Sequence, residues 1–399
     1  MTEKVRNISL WLYRLLELAG LFLHLGTTAF GGPAAHIAMM EDEVVRRRRW
    51  LTREAFLDLL GATSLIPGPN STELAIHIGH RRAGWAGLVI AGCCFILPAT
   101  LIVGVIAWAY VRFGELPQTE GLLYGVKPVI IAVIVQALWG LGCTAVKNTG
   151  LALAGLLGVG LIFFGADELA VLFGTGLLVA GVRAGKAWRN AVFGSRPPLL
   201  GIAPVFPFIS AAGVAGAAAV SMPFNLWTLF LFFAKVGSIL FGSGYVLLAF
   251  LNADLVERWH WLTDAQLMDA IAVGQITPGP VFTTATFIGY VLAGTKGAVV
   301  ATAGIFIPAF FFVAISGPFV PRLRKSAIAG AFLDGVNVAS LALMAIVTWR
   351  LGATTMVDCF TGLLALASVF LLFRYRVNSG WLILAGAGFG YLVFYCKIA

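Results

Sequence analysis

Long apolar blocks recur along this chain near residues 85–111, 121–143, 149–165 and 168–182, and again near 297–317, 327–350, 356–373 and 380–397. Each approaches the roughly 20 residues that a helix needs to cross a bilayer. The blocks are rich in Leu, Ala and Gly and lack dyad alternation, which predicts spanning helices and not barrel strands. Two stretches ahead of the first set behave differently. Residues 11–49 are apolar as far as Phe30, break at Gly31-Gly32-Pro33, and resume as a mixed helix ending in Arg46–Arg49. Residues 54–83 are apolar, break at Pro67-Gly68-Pro69, and resume to Arg81-Arg82. A Pro-Gly-Pro cannot continue a helix. Each stretch is therefore predicted to be two shorter helices meeting at a break, as a re-entrant hairpin or a broken span.

The same pattern returns later in the chain. At an offset of 211, Gly26 matches Gly237, Phe30-Gly31 matches Phe241-Gly242, Trp50-Leu51-Thr52 matches Trp261-Leu262-Thr263, and Pro67-Gly68-Pro69 matches Pro278-Gly279-Pro280. Asp58 aligns with Asp269, and Thr72 with Thr283. One residue then drops out. An offset of 210 pairs Gly79/Gly289, Gly84/Gly294, Gly87/Gly297, Pro98/Pro308, Gly125/Gly335, Trp139/Trp349 and Gly142/Gly352. Ordered matches at Trp, Pro and Gly mark an internal duplication. The organisation predicted is an N-terminal half at 1–200, a linking apolar segment at 201–222 and a C-terminal half at 223–399.

Composition agrees with the pattern. Hydrophobic residues make up 60% of the 399 and charged residues 11%, against roughly 25% charged in soluble proteins. The fold class expected is an all-α polytopic membrane protein. Its 47 glycines suit close helix packing in lipid, as does the small-residue spacing Gly176/Ala180/Ala184. The net charge of +9 does not point to nucleic acid, because the basic residues gather in short loops between apolar blocks. With 11–49 and 54–83 as hairpins, Arg46–Arg49, Arg53, Arg81, Arg82, Lys147 and Arg183 fall on one side, which the positive-inside rule makes cytoplasmic. The uncharged 202–222 is long enough to cross once more and so invert the second half. That would leave Asp254, Glu257 and Asp264 in outer loops. Inverted repeats with broken helices are the pattern of secondary transporters. A parallel duplication is the alternative.

A helix that restarts inside the membrane turns free N–H groups and a positive dipole end toward the break, which suits an anion. The residues there fit: Gly31, Gly32, Pro33, Pro67, Gly68, Pro69, Asn70, Ser71 and Thr72 in the first half, and Gly242, Ser243, Gly244, Pro278, Gly279, Pro280, Thr283 and Thr284 in the second. The bland reading is a set of cap and hinge residues. His24 and Lys235 align ahead of the breaks and could face an anionic substrate. A hydrogen-bonded core histidine and a snorkelling lysine are the alternatives. Asp58 and Asp269 are candidates for proton coupling, or for pairing with a loop arginine. Glu73 is a further proton candidate, although its spacing from Asn70 reads first as a capping box. His36, His260 and Lys127 read as structural. No cofactor or metal site is expected: the five cysteines lack metal spacing, and Glu73, His77 and His80 lack a fourth ligand. There is no phosphate-binding loop and no Ser/His/Asp or HExxH arrangement, so an enzyme is poorly supported.

At Phe30-Gly31-Gly32-Pro33, Pro67–Thr72 and Pro278-Gly279-Pro280 the chain resembles the chromate transporter superfamily in its long, duplicated form. The resemblance covers nearly the whole chain. It implies a multi-pass protein of the bacterial inner membrane that exports chromate from the cytoplasm, driven by the proton motive force, and so confers chromate resistance. Its partners would be chromate or a sulfate-like oxyanion, protons and the bilayer, with a homodimer possible. The second half departs from the first, with Val281-Phe282 where the first has Asn70-Ser71. A sulfate importer of the same fold and an anion channel remain as alternatives.

Overall fold

The computed structural model describes residues 3–29, 32–113, 117–193, 223–241, 246–316 and 326–398. The linking segment 201–222 and residues Gly31, Gly242, Ser243 and Gly244 lie outside these. All eight apolar blocks are helical. In the first half α1 (Glu3–Thr28), α2 (Gly32–Glu41) and α3 (Arg53–Thr63) precede α4 (Asn70–Phe113), α5 (Pro117–Ala145), α6 (Thr149–Phe163) and α7 (Glu168–Phe193). In the second, α8 (Leu226–Ile239), α9 (Leu247–Phe250) and α10 (Asp264–Ile276) precede α11 (Thr284–Ser316), α12 (Ala327–Thr355), α13 (Cys359–Arg374) and α14 (Ser379–Ile398). A π-helical segment follows both α2 and α9, at Asp42–Arg47 and Leu251–Arg258. The second of these holds Asp254, 2% exposed, so this acid sits in a buried helix and not in an outer loop.

Local chemistry explains several repeated residues. Thr52 caps α3, its hydroxyl accepting from the Ala55 N–H at 3.2 Å. Its counterpart Thr263 forms a full capping box with Gln266 at the start of α10. The glycine series Gly79, Gly84, Gly87 marks a hairpin that the sequence reading places as two separate elements. Gly84 at φ 64°, ψ −147° reverses the chain inside α4, and Gly294 does the same in α11 at φ 60°, ψ −150°. That region of backbone space is open essentially to glycine alone. Across the turn, a Cβ on Gly79 would collide with the Gly87 carbonyl, and one on Gly289 with the Gly297 carbonyl. Residues 70–82 and 85–113 are thus two limbs in backbone contact.

The ends of the segment 53–82 meet. Arg82 stacks 4.8 Å over the Trp50 ring, and its guanidinium bonds Glu17 on α1 at 2.9 Å. Arg48, at the end of the first π-helical segment, reaches the same Glu17 at 3.6 Å. Both broken stretches of the first half therefore leave and return at one arginine-rich end, as re-entrant hairpins do.

Their tips touch the other half. The Gly68 N–H donates to the Leu240 carbonyl at 2.7 Å, and the Gly279 N–H donates to the Ala29 carbonyl at 3.0 Å. Each Pro-Gly-Pro thus closes on the end of the other half's first helix. Helix contacts obey the same exchange. Gly125 on α5 meets Gly386 and Gly390 on α14, while Gly335 on α12 meets Gly176 on α7, again backbone to backbone. The Gly176 stripe is a packing face, as its spacing suggested. Gly92 lies against Phe310, and Tyr110 lies 5.1 Å from Phe287, so the second limb of α4 touches both limbs of α11.

Candidate functional site

The site is built at the crossed tips. The first limb of α4 begins at Asn70, directly after Pro69, and its first internal bond runs from the Glu73 N–H to the Pro69 carbonyl at 3.0 Å. The preceding N–H groups of the first turn therefore point into the break. Gly68, at φ 140°, lets the chain turn there, and its Cα lies against the Glu73 carboxyl. Glu73 is fully buried, and neither of its oxygens has a hydrogen-bond partner among the described residues. Asn70 Oδ1, Thr72 Oγ1 and His77 Nε2 are likewise buried and unpartnered. Asn70, Glu73 and His77 share one helix face by their spacing. This corrects the capping-box expectation: the Glu73 carboxyl is free of any cap.

The corresponding break in the second half is closed. The Thr283 hydroxyl donates to the Pro280 carbonyl and the Thr284 hydroxyl to Val281, both at 2.8 Å. Pro278, Gly279 and Pro280 are buried, and a Cβ on Gly279 would come within 2.6 Å of the Ala99 methyl. Where the first half offers Asn70 and Ser71, the second packs Val281 and Phe282. Equal sequence spacing has produced one polar, unsatisfied break and one sealed break. Buried polar groups are ordinarily paired, so a cluster of exceptions calls for a ligand, a water or a proton.

Around these tips lie the other predicted residues. Gly32 and Pro33 open α2 at φ 75° for Gly32. His36, read as structural, fastens the first break: its Nε2–H donates to the Ala29 carbonyl at 3.0 Å, and its ring sits edge-on to Phe95. His24 is exposed on α1, its backbone carbonyl accepting from the Thr27 and Thr28 hydroxyls. Lys235 is not a free cation. Its Nζ lies 3.1 Å from one Asp254 oxygen, and Arg258 holds the other at 2.7 Å. The aligned aspartates have separated. Asp58 is exposed, whereas Asp269 is 3% exposed, accepts from Tyr110 at 2.9 Å and sits 3.3 Å from Lys127. A lysine inside a span, and not a loop arginine, is its partner. His80 packs edge-on against Trp85, and no group of three or more His, Cys, Asp or Glu among the described residues is placed to hold a metal.

Comparison with known proteins gives the context for this geometry. The family model described as Chromate transporter matches residues 16–182 and 227–391, which together make up most of the chain. The chain belongs to the chromate transporter family. Its two matched segments coincide with the two halves. A relative described as "Chromate transport protein" from Cupriavidus metallidurans is 36% identical, over 96% of this chain and 94% of its own length. One of the same description from Pseudomonas aeruginosa is 32% identical, over 95% and 92%. "Uncharacterized transporter YwrA" from Bacillus subtilis is 31% identical over only 36% of this chain, and that match takes in 77% of its own length. No solved structure matches the chain. Membership in this transporter family agrees with a multi-pass membrane protein that is not an enzyme.

The sequence reading missed the association of Lys127, Asp269 and Tyr110. Its members lie far apart on α5, α10 and α4, and no spacing rule links them. The unpartnered state of Glu73 was also hidden, because a carboxylate three residues after Asn70 looks the same whether it caps or not.

Proposed function

We propose that this protein is a secondary transporter that carries chromate out of the cytoplasm, drawing on the proton motive force. One observation carries the reading: the interior helix start at Asn70, where the first-turn N–H groups have no acceptor within the helix and the Thr72 hydroxyl and Glu73 carboxyl are buried and unpartnered beside the crossed tips. Hydroxyl, amide and backbone N–H donors there suit a tetrahedral oxyanion. The relatives' descriptions supply chromate as the substrate. The uncharged stretch 202–222, long enough to cross once, favours an inverted repeat, with the arginine-rich end of the first half facing the cytoplasm of a bacterial inner membrane. Exchange of conformations between inverted halves would open the tips to one side and then the other.

Glu73 supplies the coupling in this reading. Its carboxylate and an oxyanion compete for the same positive helix end. Two like charges ~4 Å apart repel by about 4 kcal/mol at an effective dielectric of about 20. A proton on Glu73 removes that repulsion, so proton and oxyanion favour being bound together. A dianion leaving with one proton is singly negative, so the inside-negative potential, the electrical part of the proton motive force, drives it outward, while a pH gradient acid outside opposes the proton's exit.

Flux in liposomes tests the proposal. Chromate movement should respond to imposed potential and pH gradients, with sulfate competing weakly. Sulfate carried in preference to chromate would make the protein a sulfate transporter. Flux at channel rates, indifferent to pH, would make it an anion channel.

A further inference from the structure

A second polar recess lies away from the crossed tips, at the arginine-rich end of the first half. It has a volume of about 210 Å³ and is lined by Arg14, Trp50, Leu51, Ile78, Arg81 and Arg82. Of its three arginines only Arg82 meets a carboxylate, Glu17. Arg14 and Arg81 are exposed and make no ion pair or hydrogen bond with a described residue, and Arg82 Nε is buried without an acceptor. The Trp50 ring anchors the arrangement, with Arg82 at 4.8 Å and Arg48 at 5.3 Å.

The duplication supplies a control within the same molecule. The counterparts of Arg14, Arg81 and Arg82 in the second half are Asn225, Val291 and Leu292, while Trp50, Leu51 and Ile78 are kept as Trp261, Leu262 and Ile288. The tryptophan is shared, and there it packs on Phe224 and Trp259. The fold thus requires the apolar members of this corner and not the arginines. Two arginines with no carboxylate partner beside a third whose Nε is buried without an acceptor, where the other half does without all three, imply an anionic occupant.

We infer that this recess binds a phosphate-type oxyanion at the membrane surface, as the phosphodiester headgroup of an anionic lipid. Guanidinium groups recognise such oxygens in a fork. Basic pockets between helices near the surface bind anionic headgroups. The half-buried Trp50 and Leu51 at its edge favour a lipid over a free ion, because they offer a glycerol backbone and the start of an acyl chain an apolar contact. The inference is independent of the transport site at Asn70 and Glu73.

Native mass spectrometry of the purified full chain, titrated with phosphatidylglycerol or phosphatidylcholine in detergent, tests it. The wild type should retain one phosphatidylglycerol in preference to phosphatidylcholine. R14A/R81A should need at least tenfold more lipid for the same occupancy. The variant R46A/R53A removes two exposed arginines from the same end but outside the recess, and should behave as wild type. Sodium sulfate or phosphate is titrated in parallel with thermal unfolding as readout. A rise in Tm that R14A/R81A abolishes, with no lipid selectivity, would assign the recess to a free oxyanion and overturn the lipid. Equal loss in R46A/R53A, or no difference between wild type and R14A/R81A in either titration, would overturn the site altogether. If R14A/R81A does not elute as folded protein, R81Q alone carries the comparison.

Discussion

Glu73 and Lys235 would have been ranked in the opposite order from sequence, and their surroundings reverse that ranking. Glu73 is buried without a partner, so Glu73→Gln keeps the shape and removes only the titration. Chromate flux in liposomes should persist in this variant but lose its response to an imposed pH gradient. A pH response equal to wild type would take Glu73 out of the coupling step. Asn70→Ala should lower flux by about tenfold, the equivalent of one lost hydrogen bond of ~1.4 kcal/mol to a charged acceptor. Lys235 belongs to an ion-paired network with Asp254 and Arg258. Lys127 is in a similar position beside Asp269. Removing one partner of a buried pair typically costs about 3–5 kcal/mol, whereas replacing both is far milder. Lys127→Met should therefore depress the yield and Tm of folded protein, and Lys127→Met with Asp269→Asn should recover much of the loss. A Tm unchanged by the single substitution would mean that the pair carries no stability.

At the scale of elements, the breaks and turns were half visible. The eight apolar helical blocks, of which five among the described residues are long and apolar enough to cross a membrane, and both Pro-Gly-Pro interruptions could be read directly, because hydropathy and proline chemistry act locally. The repeated Gly79, Gly84 and Gly87 were visible as a series but not as a hairpin, since the residues on both sides of Gly84 favour helix and only the backbone angles reveal the reversal. Whether each broken stretch crossed or returned also stayed open until Arg82, Trp50 and Glu17 were found together. The two kinds of glycine at the hairpin separate experimentally. No atom lies within 4 Å of a Cβ at Gly84, so Gly84→Ala should cost only the backbone strain of about 1–3 kcal/mol. A Cβ at Gly87 meets the Gly79 carbonyl. Gly87→Val should therefore force the limbs apart and lower Tm further than Gly84→Ala does. Thermal unfolding of the two variants compares them, and the reverse order would contradict the close packing of the limbs.

For the whole molecule, orientation is the quantity to measure. The arginine-rich end of the first half and the turn at Ala293-Gly294 in the second belong to equivalent corners of the two halves, which the proposed inverted repeat places on opposite faces of the membrane. In a background freed of native cysteines, Arg53→Cys and Lys296→Cys should label from opposite faces of the membrane with an impermeant thiol reagent. Labelling from the same face would require a parallel duplication. Which half supplies which neighbour could not be read from the sequence, because an offset relates equivalent positions and says nothing of who touches whom.

That exchange of neighbours bears on how the protein can be divided. Gly125 rests on Gly386, Gly335 rests on Gly176, and each Pro-Gly-Pro is fastened to the other half's first helix. A chain stopped at residue 200 would present α5 with no partner for its glycine face, and would be expected to be cleared by proteolysis. Co-produced with a second chain covering 223–399, it should be rescued, because the surfaces that recognise one another are wholly contained in the two fragments. Here the sequence repeat and the folding unit do not coincide: complementation between fragments, and not autonomy of either one, is the behaviour this architecture entails.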